Sequence, residues 1–234
     1  MSGAVRRLRG RGPRRPFVLA LALVCLFGPG FVGSARASDV DDDDEAYEGG
    51  RFAVSGSLTT DDTLLIDGST EFRGASPPGF GLDVSVGAGL GSFELGLLVA
   101  VVSSGSTPAV GASQRLYAQA RGTGYLRWSY VMVEGFDIFT GLGIGVASTR
   151  LSDFVRFELA RDAGGTDREE VARSVTGLAV DVEAGLRIPL NDKGLRLLMM
   201  LAAHTAGGEL TLAGTSRQLF GLPTRLHAGL EWRL

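Results

Sequence analysis

Two histidines, a single cysteine and scattered carboxylates are the residues of this 234-residue chain whose types could do chemistry. His204 is followed by Thr205, with Glu209 five positions on, the makings of a base, a hydroxyl nucleophile and an orienting group. In an extended strand, however, only residues two apart share a face, and Ala206 stands where that hydroxyl would have to be. His227 lies between Arg225 and Glu231; with His204 on a separate strand it could bind a metal, but no cysteine or closely spaced histidine pair supports that. Gly141-Leu142-Gly143-Ile144-Gly145 has the look of a phosphate loop but lacks the strand-turn-helix context that such loops need. The acidic run Asp39, Asp41 to Asp44, Glu45 and Glu48 offers hard oxygen ligands for calcium. It lacks the spaced donors and turn glycine of a calcium loop, so it reads as a solvated, disordered leader over 38–50. No cofactor is implied.

The charged residues are more informative as a pattern. From Leu222 to the C-terminus, Leu226, Ala228, Leu230, Trp232 and Leu234 share one parity, while Arg225, His227, Gly229, Glu231 and Arg233 share the other. A period of two with one apolar and one ionic face describes a strand whose two sides meet different media. Seven earlier segments repeat the pattern, beginning with 51–60 and 79–90. They are separated alternately by long polar stretches and tight turns such as Gly91-Ser92 and Glu134-Gly135. The expected fold is an all-β, eight-stranded antiparallel up-and-down transmembrane β-barrel over 51–234, with both ends on the short-turn side.

That register places Asp83, Glu94, Asp137, Asp181, Glu183 and Glu231 on the ionic face with Arg115, Arg121, Arg127, Arg187, Arg196, Arg225 and Arg233. Six acids against seven arginines can neutralise one another in the narrow interior of an eight-stranded barrel, giving a plugged lumen rather than a conduit. On the apolar face, Phe52, Phe93 and Phe136 begin odd strands, while Tyr130 and Trp232 end even ones. All five therefore fall on one rim, as an aromatic girdle at a membrane interface would. A soluble lipocalin-like barrel holding a small hydrophobic ligand would alternate the same way with the faces exchanged. A narrow pore lined by Asp181, Glu183, Arg187 and Arg196 is a further alternative.

The N-terminus is expected to be a secretory signal over 1–37: six arginines between Arg6 and Arg15, an apolar stretch from Phe17 to Phe27, and cleavage after Ala35-Arg36-Ala37, before Ser38. Arg14-Arg15 and Leu23-Val24-Cys25 resemble twin-arginine and lipoprotein motifs. Ordinary secretion fits better, because a barrel crosses unfolded and Val24 and Cys25 sit inside the apolar stretch. Cleavage removes the only cysteine and seven arginines, leaving 16 basic against 26 acidic residues, a charge of 16 − 26 = −10. That balance argues against a nucleic-acid partner.

In layout the segment 50–234 resembles the small eight-stranded outer-membrane barrels of the OmpA/OmpX type, although no specific motif is shared and Leu234 replaces the usual terminal aromatic. The resemblance implies an outer-membrane protein of a diderm bacterium, partnered by membrane lipid and, during biogenesis, by the barrel-assembly machinery. Its role would be envelope structure, or adhesion and ligand binding through outer loops, of which 151–173 is the longest and most charged. Some barrels of this size deacylate lipid A, which is the enzymatic alternative for His204.

Overall fold

The computed structural model describes residues 49–68, 70–74, 78–109, 112–133, 136–165, 167, 169, 171–212 and 214–234. The proposed signal, its cleavage site at Ala37 and Ser38, the acidic leader up to residue 48 and the Glu134-Gly135 turn lie outside these residues.

Eight antiparallel strands close on themselves: β1 (Gly49–Ile66), β3 (Phe80–Leu90), β4 (Phe93–Ser103), β7 (Tyr117–Val133), β8 (Phe136–Leu151), β9 (Ser174–Pro189), β10 (Leu195–Leu212) and β12 (Thr224–Arg233). Each pairs with its sequence neighbours in the barrel, and β1 pairs with both β3 and β12, so the sheet has no free edge. Closure satisfies the backbone internally, which is what lets strands exist inside hydrocarbon. Gly91, with φ of 63°, takes the left-handed backbone required at the tight turn between β3 and β4.

The outward parity is apolar around the barrel. Leu97, Ile144 and Val146 are 65%, 62% and 62% exposed, alongside Leu82, Val101, Leu142 and Leu178. Each such side chain gains roughly 1.5–3 kcal/mol on leaving water, so a belt of them requires an apolar medium. The inward parity toward the turn side carries the buried charges, Arg127, Arg187, Arg225, Glu94 and Glu231, all at most 1% exposed, set among small apolar clusters such as Phe139 with Leu198 and Met200.

The loop-side end is more structured than the polar composition of its segments predicts. β1 runs past the expected boundary at residue 60 and folds back through the turn at Asp67 and Gly68 into β2 (Thr70–Gly74). The stretch expected to be a loop near 206–219 is the end of β10 followed by β11 (Thr215–Gly221), which pairs with both β10 and β1. β5 (Ser106–Ala109) and β6 (Ala112–Arg115) form a separate hairpin. Within 151–173 lies a helix, α1 (Asp153–Asp162). Its Ser152 cap accepts a hydrogen bond from the Val155 N–H, and Asp153 and Arg161 sit at the ends that suit their charges.

Two parity changes depart from the regular alternation of the sequence. A bulge between Thr59 and Asp61 shifts β1 by one residue, so Asp62, Leu64 and Ile66 point inward where Ser55, Ser57 and Thr59 do below it. The strand expected to run unbroken from 113 to 133 is interrupted before Tyr117. Leu116, expected outward, is fully buried beside Tyr117, because both backbone N–H groups donate to the Ser104 hydroxyl and turn the chain inward.

Candidate functional site

The barrel interior is stacked in three levels. At the turn end, Glu94 on β4 is the hub: it accepts from Arg51 at 3.2 Å, Arg127 at 3.4 Å, Arg187 at 2.6 Å and the Tyr125 hydroxyl at 2.7 Å. Arg187 also donates to Glu231 at 2.8 Å and to the Ser129 hydroxyl at 2.8 Å, while Arg127 is paired with Glu183. Both guanidinium groups lie over aromatic faces, Arg127 at 4.1 Å from the Tyr125 ring and Arg187 at 4.4 Å from Phe139. Asp137 takes Arg196 and, at 3.4 Å, Arg233. Such a network crosses the lumen because small residues leave room for it. A Cβ at Gly96 would sit 2.4 Å from the Tyr125 ring, and one at Gly141 only 2.7 Å from a Glu183 oxygen.

The middle level is built on Arg121, which pairs with Asp181 at 2.9 Å and Asp83 at 3.5 Å. Thr123 donates to Asp181 at 3.1 Å. His204 contacts Asp181 at 2.8 Å and also Arg121; His227 lies 2.9 Å from Asp83, and the two imidazoles meet edge-on at 5.7 Å. Arg225 is buried at the same level, on the strand position opposite Thr59 and Ala202.

At the loop end the interior turns apolar. Leu64 and Ile66 from β1, Leu116 and Tyr117, Leu151, Val175, Leu210, Leu212 and Leu219 pack with Val155, Leu159 and Ala160 of α1. Tyr117 joins this layer to the polar one by donating to Asp62 at 2.5 Å. Arg156 of α1 is buried as well, donating to the Val171 carbonyl at 3.1 Å and bridging to Asp153 and Glu169.

Of the thirteen ionic positions expected inside, twelve line the interior or, for Arg233, its turn-side rim. Arg115 does not: it is exposed, 4.6 Å above the Phe80 ring and bonded to the Ser103 hydroxyl, because the chain turns inward only after it. Arg51, Tyr125 and Asp62 belong to the interior and were missed. Arg51 shares the parity of Ala53 and Ser55, a signal available in the sequence, whereas Asp62 is brought inside by the bulge. The five aromatics Phe52, Phe93, Tyr130, Phe136 and Trp232 all lie toward the turn end. Phe52 faces Trp232 with rings 5.8 Å apart, and Phe93 stands opposite Trp128.

The enzymatic arrangement fails on geometry. His204 is inward and engaged by Asp181 and Arg121, while Thr205 and Glu209 belong to the opposite face of β10, so base and hydroxyl lie on different sides of the sheet. Among the described residues there is no group of three or more His, Cys, Asp or Glu placed to hold a metal.

No family model and no curated relative matches the sequence. Solved structures do. Neisserial surface protein A is similar with a TM-score of 0.51 at 11% identity, over 78% of this chain and 97% of that one. The outer membrane protein OprG of Pseudomonas aeruginosa gives 0.46 at 14% identity, over 81% and 98%. The attachment invasion locus protein Ail of Yersinia pestis gives 0.41 at 14%, over 80% and 100%. With its closed strand order, apolar belt and ionic interior, the chain has the fold of the small eight-stranded outer-membrane β-barrels, and its outward surface suits an apolar medium.

Proposed function

We propose that this protein is a non-enzymatic barrel with a plugged lumen that acts in envelope structure or surface binding through its loop-end face. The observation that supports this reading most directly is the filled interior: Arg127, Arg187 and Arg225 below, and Leu64, Leu116 and Val155 above, are each no more than 1% exposed. A lumen filled by buried charged side chains and then by an apolar layer leaves no continuous path for solutes. Work then falls to the surface beyond the membrane, where α1 turns Val155 and Leu159 inward and keeps Phe157 about half exposed next to Glu158 and Arg161. The ionic network would serve as the rigid core of this platform and the five turn-end aromatics as its interfacial girdle, with membrane lipid and the assembly machinery as partners.

Planar-bilayer recording on the purified full chain tests the plug: no unitary conductance is expected, and a stable open channel would overturn it. Fatty-acid release from lipid A, with His204→Ala as control, should stay at background. Cells carrying Phe157→Ser with Arg161→Ala, which spare the buried face of α1, should adhere less to surfaces that wild-type cells bind. Unchanged adherence would remove α1 from the contact surface.

A further inference from the structure

The outward face, which the reading above treats only as lipid contact, is not uniform. Between β9, β10 and β11 a furrow of about 700 Å³ opens on the membrane side, floored by Gly207 and walled by Leu178, Val180 and Phe220. Gly207 stands in register with both Leu178 and Phe220; the Phe220 ring folds over it, 2.6 Å from where a Cβ would lie, so the trough runs between that ring and the Leu178 and Val180 wall. Its upper lip is polar, with Thr176 on one side and Glu209 paired in register with Gln218 on the other.

Level and charge identify the occupant. Leu178 is in register with Val146 of the apolar belt, Thr176 with Ser148, and Ser174 with Arg150. Four residues of strand put Arg150 roughly 13 Å above the middle of the trough, beyond the last apolar row. Arg150 is exposed and of outward parity, whereas Arg173, whose carbonyl accepts from the Leu151 N–H, takes the inward parity and is exposed at the rim beside Ser174 at the top of β9. Neither arginine has an ion pair among the described residues, in a chain whose mature form carries an excess of acids. A molecule seated here must be a lipid, since it lies against the hydrocarbon belt. Its chain fits the apolar trough, its hydroxyls meet Glu209, Gln218 and Thr176, and its anionic group reaches unpaired guanidinium groups suited to phosphate. The loop end faces outward in a barrel whose termini and short turns lie on the periplasmic side.

We propose that the furrow on β9–β11 is a binding site for a phosphorylated glycolipid of the outer leaflet, with an acyl chain between Leu178 and Phe220 and a phosphate on Arg150, Arg173 standing beside it at the rim. The assignment rests on the outer-membrane orientation given above, and the test separates the two. Full-length protein is refolded in detergent and its closed barrel verified by the mobility shift between unboiled and boiled samples. It is then titrated with bis-phosphorylated lipid A, with the same lipid after phosphate removal, and with phosphatidylglycerol, bound lipid being read by native mass spectrometry.

Wild type should retain one bis-phosphorylated lipid A, with about tenfold weaker retention of the dephosphorylated form, the usual scale for losing a charge-assisted contact. Arg150→Ala with Arg173→Ala should lower lipid A to the dephosphorylated level. Val180→Trp, which fills the trough from its lipid side, should weaken both forms. Equal retention by wild type and the arginine variant, or phosphatidylglycerol held as well as lipid A, would overturn the site while the gel shift upheld the barrel. Loss of the gel shift in wild type would instead strike the barrel reading itself.

Discussion

The two ends of the barrel interior solve one packing problem with opposite chemistry. At the turn end, Arg51, Arg127 and Arg187 converge on Glu94; at the loop end, Leu64, Leu116, Val155 and Leu210 converge on one another. Buried ions must each be desolvated, and their mutual attraction repays this only when every partner is in place. Apolar side chains tolerate approximate fits at a modest cost for each void. The ionic end is therefore the one whose geometry is specified by its pairings. The apolar end is the one that excludes water, and it is where loops, a helix and, among the described residues, four extra strands are accommodated.

Breaking the ionic end should have the largest effect. Arg187→Ala removes the closer of the two arginines that Glu94 and Glu231 share, leaving only Arg51 at 3.2 and 3.8 Å, and should cost about 3–5 kcal/mol, read as the urea midpoint for loss of the heat-modifiable form. A loss below about 1 kcal/mol would mean that water already reaches this level, and the contrast between the ends would collapse. Breaking the apolar end acts through a cavity instead of a stranded charge: Leu64→Ala should lower stability by about 2–5 kcal/mol. Its conductance should stay at zero, because the ionic levels still block the lumen; appearance of a channel would show that the apolar layer alone is the seal.

The smallest effect belongs to the exposed rim. The Asp67 carboxylate accepts from Arg217 at 2.7 Å and from the Gln218 N–H at 2.8 Å, and these bonds, Arg217 first, hold its pKa below the usual carboxylate value. A depressed folded pKa means the contribution is complete above the unfolded value near ~4 and is lost as pH falls through the folded one. NMR titration of the Asp67 carboxyl carbon should thus end below pH ~4, with Arg217→Gln moving the midpoint upward. An unmoved midpoint would assign the shift to the backbone donor.

Much of the barrel was legible because two media impose two parities. Leu226, Ala228 and Leu230 against Arg225, His227 and Glu231 leave one choice of register, and the pairing of β12 with β1 and β10 follows it. The same logic fails where the medium changes. Above the membrane both sides of a strand can bury apolar groups, so Leu116 carried no mark of its direction and Arg115 was assigned to the wrong side. The loop-end strands β2 and β11 were hidden by composition: Thr70–Gly74 and Thr215–Gly221 look like solvated loops because one of their faces is wet. The site residues most easily missed, Asp62 and Tyr117, depend on a backbone irregularity and on a serine hydroxyl, neither of which has a periodic signature.

The irregularity between Thr59 and Asp61 works as a frameshift written in backbone geometry. Below it an odd number means inside, and above it an even number does. A deletion of one residue there would invert the upper six positions of β1 as a block, presenting Leu64 and Ile66 to the outside and Thr63 and Leu65 to the centre. A graft of what stands above that position would keep its faces only if it carried its own extra residue with it.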